Sequence, residues 1–578
     1  MRAHRLEALL ISGVMLAAAA LVAPAASASA PPRVASHAAP TGSWHPTTVL
    51  AGTMGLNLGG DAGVDAVSCP TPGNCSAGGY YNDKSDHYQA FVANEVNGVW
   101  HPAIAIPGTA AKNVGGDAET YFLSCPSPGN CGAGGYYKDA VGHYQGFVVN
   151  SVNGVWHSAI EAPGTAALNA GTYAAIEWGT CSSVGACAAG GTYTDNQGHR
   201  QIFVINEVHG TWHNAVELPG SAALNVGGAA YLYGFACASA GNCSLGGSYK
   251  DAGGAAQALV DNEVGGTWQL AQQVPGISAL DAGAGSTFGS ETTWVSCPSP
   301  GNCTAGGHYA DTPTTHQAFV VDEIGGTWQS AIELPGSAAL NAGGDAEVWA
   351  LSCATPHNCV ASGFAKSSPT ARQSIVASEV KGTWHSAIVL PGSGTLNKGN
   401  NSQALSVSCW KAGDCAVAGS YVDAANKFQA MVATMVNGVW RGAIEAPGAA
   451  GLNRHGDASL YNVTCIAAGV CVAGGYVDDT AGNYQAVIDS YLPPAPTITA
   501  IAPAAGTHRG GETVVVHGVN LIGAMSVVFG ARPGTHVVVL NAGAIRVTAP
   551  RGTGTVIVRV TGPGGTSAVT SKSRFRYV

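Results

Sequence analysis

The motif Leu-Asn-x-Gly-Gly-Asp, in full or relaxed form, recurs along the chain and sets aspartates at Asp61, Asp117, Asp345 and Asp457. Carboxylates gathered on the loops of one face suit a cation such as Ca²⁺, the hydroxyls of a sugar, or a basic partner. The equivalent positions elsewhere hold Tyr173, Ala229 and Asn401, and the unit near Cys297 carries a four-residue insertion between Asp281 and Thr293. A position that only supports the fold should repeat, so this divergence marks a ligand-facing rim, although neutral drift would leave the same pattern. A second series, Asp83, Asp139, Asp195, Asp251, Asp311, Asp423 and Asp479, lies six residues before a glutamine, with Ser367 in the eighth place. Aspartate at the start of a loop caps its own backbone in an Asx-turn, and that structural use is expected here. In three units His87, His143 or His199 follows four residues later, a spacing that would also let the pair share a cation.

Sixteen cysteines form eight C-x5-C pairs: Cys69 with Cys75, Cys125 with Cys131, Cys181 with Cys187, Cys237 with Cys243, Cys297 with Cys303, Cys353 with Cys359, Cys409 with Cys415 and Cys465 with Cys471. Zinc sites draw on C-x2-4-C knuckles with a second pair or histidines nearby, which these lack. Regular, even pairs in an exported chain predict local disulfides. No G-x-S-x-G elbow, H-E-x-x-H helix or phosphate loop is present.

The elements that hold these residues follow from the period. First cysteines are 56 residues apart, apart from one step of 60 between Cys237 and Cys297. Each unit reads as four short strands. The first is expected to end at the first cysteine and the second to start at the second, with Pro-Ser-Pro-Gly-Asn turning between them. Asn153-Gly154 is a type I′ hairpin signal. Four antiparallel strands repeated at this length predict an all-β propeller. Fourth-strand tryptophans (Trp44, Trp100, Trp156, Trp212, Trp268, Trp328, Trp384, Trp440) and third-strand glutamines (Gln89 to Gln485) each number eight, but the two series are offset. The segment from Gly42 to His45 is therefore expected to complete the last unit, giving eight blades closed by the N-terminal strand and no free sheet edge.

The hairpin Asp322-Glu323-Ile324-Gly325-Gly326-Thr327-Trp328 resembles a degraded Asp-box, S-x-D-x-G-x-T-W, of sialidase-type propellers. In that family the box is a folding element away from the active site, so the resemblance implies fold and not hydrolysis. A sialidase-like site needs clustered arginines, and Arg200, Arg372, Arg441 and Arg454 read as different repeat positions. After Pro493 the cysteines stop, and Gly510-Gly511-Glu512-Thr513-Val514, Gly518-Val519-Asn520-Leu521, Phe529-Gly530 and Ala549-Pro550 follow. This series resembles the IPT/TIG family, which implies an immunoglobulin-like β-sandwich acting as spacer or interaction module.

The chain opens with a basic MRAHR, an apolar run from Ala8 to Val22 and Ala26-Ser27-Ala28. These are the parts of a secretory signal peptide; the alternative, a membrane anchor, needs a longer run. The expected organisation is a leader at 1–28, a flexible segment at 29–40, an eight-bladed propeller at 41–492 and an IPT/TIG domain at 493–578. Of the 578 residues 46% are hydrophobic and 10% charged, too apolar for a disordered chain. The net charge of −10 speaks against a nucleic-acid surface. The expectation is a monomeric, extracellular, bacterial binding or scaffold protein for a glycan or protein ligand. It would have no membrane span after cleavage and no cofactor beyond Ca²⁺, with Asp61, Asp117, Asp345 and Asp457 on the ligand. The alternative is a glycan-active hydrolase or lyase on the same ring. Expressed with its leader in a secreting bacterial host, the mature chain should begin at Ser29; an intact mass that retains residues 1–28 would contradict this.

Overall fold

The computed structural model describes residues 42–281, 289–466 and 469–578. The expected leader and the segment at 29–40 lie outside the described residues, as do positions 282–288 of the insertion. The repeat region forms eight antiparallel sheets, and the C-terminal region forms two more that face each other. In the unit of Cys125 the first strand is Ala118–Ser127, the second Asn130–Lys138 and the third Tyr144–Val152.

The first hairpin corrects the expected placing of the cysteines. Only Pro128 and Gly129 turn, because Gly129 at φ 71° reverses the chain in two residues and Asn130 Nδ2 donates back to Ser127 Oγ and to the carbonyl of Pro128. The second strand therefore starts one residue earlier than the second cysteine. Cys75, Cys131, Cys187, Cys243, Cys303, Cys359, Cys415 and Cys471 are each the second residue of their strand, and all are buried. Likewise the first strand runs past Cys69, Cys125, Cys181, Cys237, Cys297, Cys353, Cys409 and Cys465 instead of ending at them. The cysteines thus sit inside the ladder and not at the ends of a surface turn. Cys181 stands directly opposite Cys187, as Cys353 does Cys359, Cys409 does Cys415 and Cys465 does Cys471.

The pairing itself is as expected. Disulfides join Cys69 to Cys75, Cys125 to Cys131, Cys181 to Cys187, Cys237 to Cys243, Cys297 to Cys303, Cys353 to Cys359, Cys409 to Cys415 and Cys465 to Cys471. Closing so short a loop contributes roughly 2 kcal/mol in the chain-entropy model. Asn153 and Gly154 take φ of 50° and 83°, as a type I′ turn requires.

Each sheet has five strands where four were expected, because the fourth is split. Val155–Trp156 pairs with Val152 and Ser151, and Ile160–Glu161 pairs with Val148 and Phe147. Between them Ala159 leaves the ladder and donates its N–H to the carbonyl of Pro107, 2.7 Å away in the preceding connection. The same bond recurs at all eight junctions, including Ala103 to Ala51 and Thr47 to Pro447. Each connection also holds a one-turn helix, such as Thr109–Lys112, entered through Gly108 at φ 84° and fixed by Thr109 Oγ1 donating to the carbonyl of Ile106.

Side chains tie neighbouring sheets as well. Trp212 Nε1 donates to Asn150 Oδ1 of the preceding unit at 3.0 Å, and the amide of Asn150 donates to Glu207. Trp156 reaches Asn94 and Trp328 reaches Asn262 in the same way, and Asn262 donates to Glu323 at 2.7 Å. The Asp-box-like hairpin is thus an inter-sheet tie, with Glu where the box has Asp.

Every first strand carries a β-bulge four residues before its first cysteine, as between Thr120 and Phe122. The bulge pushes the carbonyl of Glu119 against the second strand, where a Cβ on Gly135 would lie 1.9 Å from it. Only glycine fits there, which accounts for the repeated second-strand glycine.

At the chain ends, Ser43–Trp44 and Thr48–Val49 pair with Tyr484–Leu492 of the last unit. Ala62, Val64 and Val67 of the first sheet share a core with Val472, Ala486 and Ile488 of the last. From Thr497 to Tyr577 two sheets of four and six strands enclose Val514, Val516, Val527, Phe529, Val558, Val560 and Phe575.

Trp44 is buried against Tyr491, with Nε1 donating to Thr434 Oγ1 at 3.1 Å. Trp44→Ala should destabilise the protein by about 3 kcal/mol, and deleting residues 42–49 should expose a sheet edge and cause aggregation. A deleted protein that stays monomeric with an unchanged melting temperature would overturn closure by the N-terminal strand.

Candidate functional site

The four aspartates stand where connections enter first strands, on the face opposite the disulfide hairpins. Asp61 bridges Tyr484, Asp117 bridges Tyr88 and Asp345 bridges His316, each the first or second residue of the preceding third strand. The asparagine of the motif fixes this junction: Asn113 Nδ2 donates to the carbonyl of Tyr88 at 2.8 Å, and Asn113 Oδ1 accepts from the amide of Asp117. The second series is structural, as expected. Asp83 Oδ1 accepts the amides of Ser85 and His87, and Oδ2 accepts Gln89 Nε2 at 3.1 Å. Burial opposes ionisation of Asp83, but these donors outweigh it and hold the carboxyl below its ordinary range. Gln89 Oε1 then accepts from Asn113, linking loop to junction.

Three of the four aspartates join one polar run across consecutive junctions. Asp457 accepts Tyr476 and Tyr484 hydroxyls at 2.9 and 3.0 Å, Asp61 accepts Tyr88 at 2.7 Å, and Asp117 accepts Tyr144 at 2.9 Å. The run continues as rings: Tyr136 against Tyr144, Tyr144 against Tyr173, and the Arg200 guanidinium 3.7 Å over Tyr173.

Asp345 stands apart. Lys366 Nζ lies 2.8 Å and Arg372 Nη2 3.4 Å from its carboxylate, and with His316 they hold its pKa far below normal despite burial. Among the described residues His316, Asp345 and Glu347 bring ligand atoms within 4.8 Å of one another. Imidazole suits a transition metal and not Ca²⁺, which takes oxygen ligands, and Lys366 and Arg372 already neutralise Asp345. This set does not fit Ca²⁺.

Arg200 and Arg372, expected at unrelated positions, lie at the start of third strands and share one repeat position, each just before the repeated glutamine. They are three units apart and engage different partners, so they form no carboxylate clamp.

The bulge supplies residues that the motifs did not indicate. Its slot holds Asp65, Tyr121, Glu177, Tyr233, Thr293, Trp349, Leu405 and Tyr461 in order. Four residues of strand cover about 13 Å, so these side chains lie deeper than the aspartate slot on the innermost strands. They converge. Tyr121 is raised well above its ordinary pKa first by burial, then by Glu119, Tyr173, Asp65 and Glu177. Burial likewise raises Glu177, which accepts Thr192 Oγ1 at 2.8 Å. Tyr121, Tyr173, Glu177 and Tyr233 still keep part of their surface in solvent. Below them Trp178 meets Trp294 edge to face at 5.2 Å. The signal available in the sequence was a slot that varies while both flanks repeat.

Residues 496–577 match the IPT/TIG domain, the family expected for this region. No curated protein matches the chain. Solved structures similar to it include a GH74 xyloglucanase from Xanthomonas campestris, at 11% identity over 93% of this chain and 75% of that one, TM-score 0.41. A mutant of AofleA from Arthrobotrys oligospora is 14% identical over 59% of this chain and 93% of that one, TM-score 0.27. A subtype N11 neuraminidase-like protein of a flat-faced bat isolate from Peru is 11% identical over 78% and 94%, TM-score 0.31. Among the described residues no helix is long and apolar enough to cross a membrane, and the disulfides fit an extracellular protein.

Outside this region, burial pushes Glu95, Asp261, Glu379 and Asp489 up to about 7, with Asp322 adding to the rise at Glu379. Unfolded carboxyls titrate near 4, so between about pH 4 and 7 the folded chain binds more protons than the unfolded one. Stability should therefore fall as pH rises through that window. The melting temperature should be higher at pH 5 than at pH 8, and Glu379→Gln with Asp489→Asn should flatten the difference. A wild-type profile that rises from pH 5 to 8 would refute the assignment.

Proposed function

We propose that this is an extracellular binding protein that holds a glycan at the loop face of its propeller, with the IPT/TIG domain as spacer or second contact. One observation carries the reading: tyrosines and carboxylates of successive units gather along the innermost strands, with Arg200 at the third-strand end beside them, and stay partly open to solvent. Tyrosine rings offer flat apolar area for the C–H faces of a sugar, and their hydroxyls and the nearby carboxylates take its hydroxyl groups. Asp61, Asp117, Asp457 and Tyr173 sit at the mouth and Tyr121 and Glu177 below it. Asp345, held by two cations, orders the opposite rim.

A second reading, a glycan-active hydrolase or lyase, draws on Glu177. Burial raises its carboxyl, and a carboxyl raised in this way can serve as the acid of an acid–base pair. The experiment is binding to a panel of plant and cell-wall oligosaccharides, with product analysis on every hit. Binding without turnover supports the first reading; reducing ends or unsaturated products favour the second. Tyr121→Ala with Tyr173→Ala should weaken binding at least tenfold, since each lost contact is worth about 1 kcal/mol. The quadruple variant Asp61→Asn, Asp117→Asn, Asp345→Asn and Asp457→Asn should lose several-fold. Unchanged affinity in both folded variants would move the site elsewhere.

A further inference from the structure

Charge is divided sharply within the chain. Residues 42–492 carry 32 carboxylates against 13 lysines and arginines, whereas residues 493–578 carry seven arginines and one lysine against a single carboxylate, Glu512. All eight C-terminal cations are exposed, and among the described residues none lies in an ion pair. Glu512, whose carboxylate accepts the amide of Thr507, offsets only one of the eight.

Three of the arginines share one sheet face. Along Thr555–Gly562 and Arg574–Tyr577, Val558, Val560, Phe575 and Tyr577 point into the core, which turns Arg559, Arg574 and Arg576 outward. The register pairs Ile557 with Arg574 and Thr555 with Arg576. Arg574 and Arg576 are therefore about 6.8 Å apart along their strand, and Arg559 lies one outward step beyond Ile557 on the neighbour. The residue choice is selective: the C-terminal region has seven arginines to one lysine, the repeat region four to nine. Solubility needs only charge, whereas a guanidinium fork matches an oxyanion in two bonds.

We propose that this face docks a phosphodiester-linked glycopolymer of a cell envelope. Cations at such short intervals match a chain with an oxyanion in every repeat unit whose flexible phosphodiester links can turn successive oxyanions to one side, where a uronate chain of stiff pyranose rings holds its carboxylates on different sides and meets the cations singly. A nucleic acid also repeats its phosphates, but the face presents Thr555, Ile557 and Thr561 beside the arginines and no aromatic ring for bases to stack on. The acidic repeat region would be repelled by the same polymer, which confines docking to the C-terminal domain. The inference is separate from the glycan reading of the propeller.

The test uses the full-length protein with four probes: polyglycerol phosphate, neutral dextran, polygalacturonate and single-stranded DNA. Polyglycerol phosphate should bind, with affinity falling about 20-fold between 50 and 200 mM salt for three phosphate contacts. Dextran should not bind, and the other two should bind at least tenfold more weakly. The triple variant Arg559→Gln, Arg574→Gln and Arg576→Gln, checked for an unchanged melting temperature, should lose most of the binding. Arg546→Gln, on the opposite sheet, should keep it. Equal binding of DNA or polygalacturonate, retained binding by the triple variant, or salt-reversible self-association in place of polymer binding would each overturn the proposal.

Discussion

The junction between neighbouring sheets is the constraint on which the rest of the repeat region depends. A five-stranded sheet cannot bury both its faces alone, so each unit is stable only when seated between two others. Two ties make that seat specific. On the disulfide side an asparagine accepts the indole of the next unit and donates to its glutamate, as Asn150 does with Trp212 and Glu207. On the loop side Asn113 holds Tyr88, Asp117 and Gln89 together, and Gln89 holds Asp83. Between them runs the backbone bond from Ala159 to Pro107. Residues that look like a catalytic inventory when read in a line, the repeated Asp, Asn, Gln, Glu and Trp, are mostly this fastening.

That fastening leaves the innermost strands free to vary. Where a junction is fixed from both sides, the bulged residue has no structural duty beyond fitting, and its eight occupants range from aspartate to tryptophan. Constant shell and variable centre is the arrangement expected of a recognition scaffold, in which rigid elements present changeable side chains. The C-terminal domain divides the work differently, with a conventional apolar interior and an outer surface of opposite charge to the repeats. A single net charge for the whole chain conceals that division.

Much of the architecture was legible because it is written as period. The cysteine spacing, the Asn-Gly turns and the offset between Trp44 and Gln485 each report local geometry that a linear pattern can carry. The Asx-turn of Asp83 was legible for the same reason, since donor and acceptor lie four residues apart. What escaped was non-local or slight. The spacing of Cys125 and Cys131 names the bond between them, but not that a glycine turn draws both into the ladder. The fourth strand splits because Ala159 answers a carbonyl 52 residues away. Tyr144 reaches Asp117 over the middle strand of their sheet, and nothing in the motif around Asp117 names a tyrosine 27 positions on. The bulge is a one-residue slip that redirects Tyr121 and Glu177, and alternation read along the strand cannot locate it. Arg200 and Arg372 were separable from Arg441 and Arg454 by counting from the cysteines, and only the third-strand register made that count natural.

The disulfides also bear on how such a chain becomes oxidised. Sixteen thiols admit about two million complete pairings, and a search among them would be slow and prone to error. Each native partner, however, is six residues away across a tight turn, as Cys131 is from Cys125. The hairpin alone brings the two thiols together, before any sheet has found its neighbours. The correct pairing is therefore encoded eight times in separate short segments, and each can form as soon as its hairpin meets an oxidant. Maturation can proceed unit by unit, with no dependence on the order in which the blades assemble.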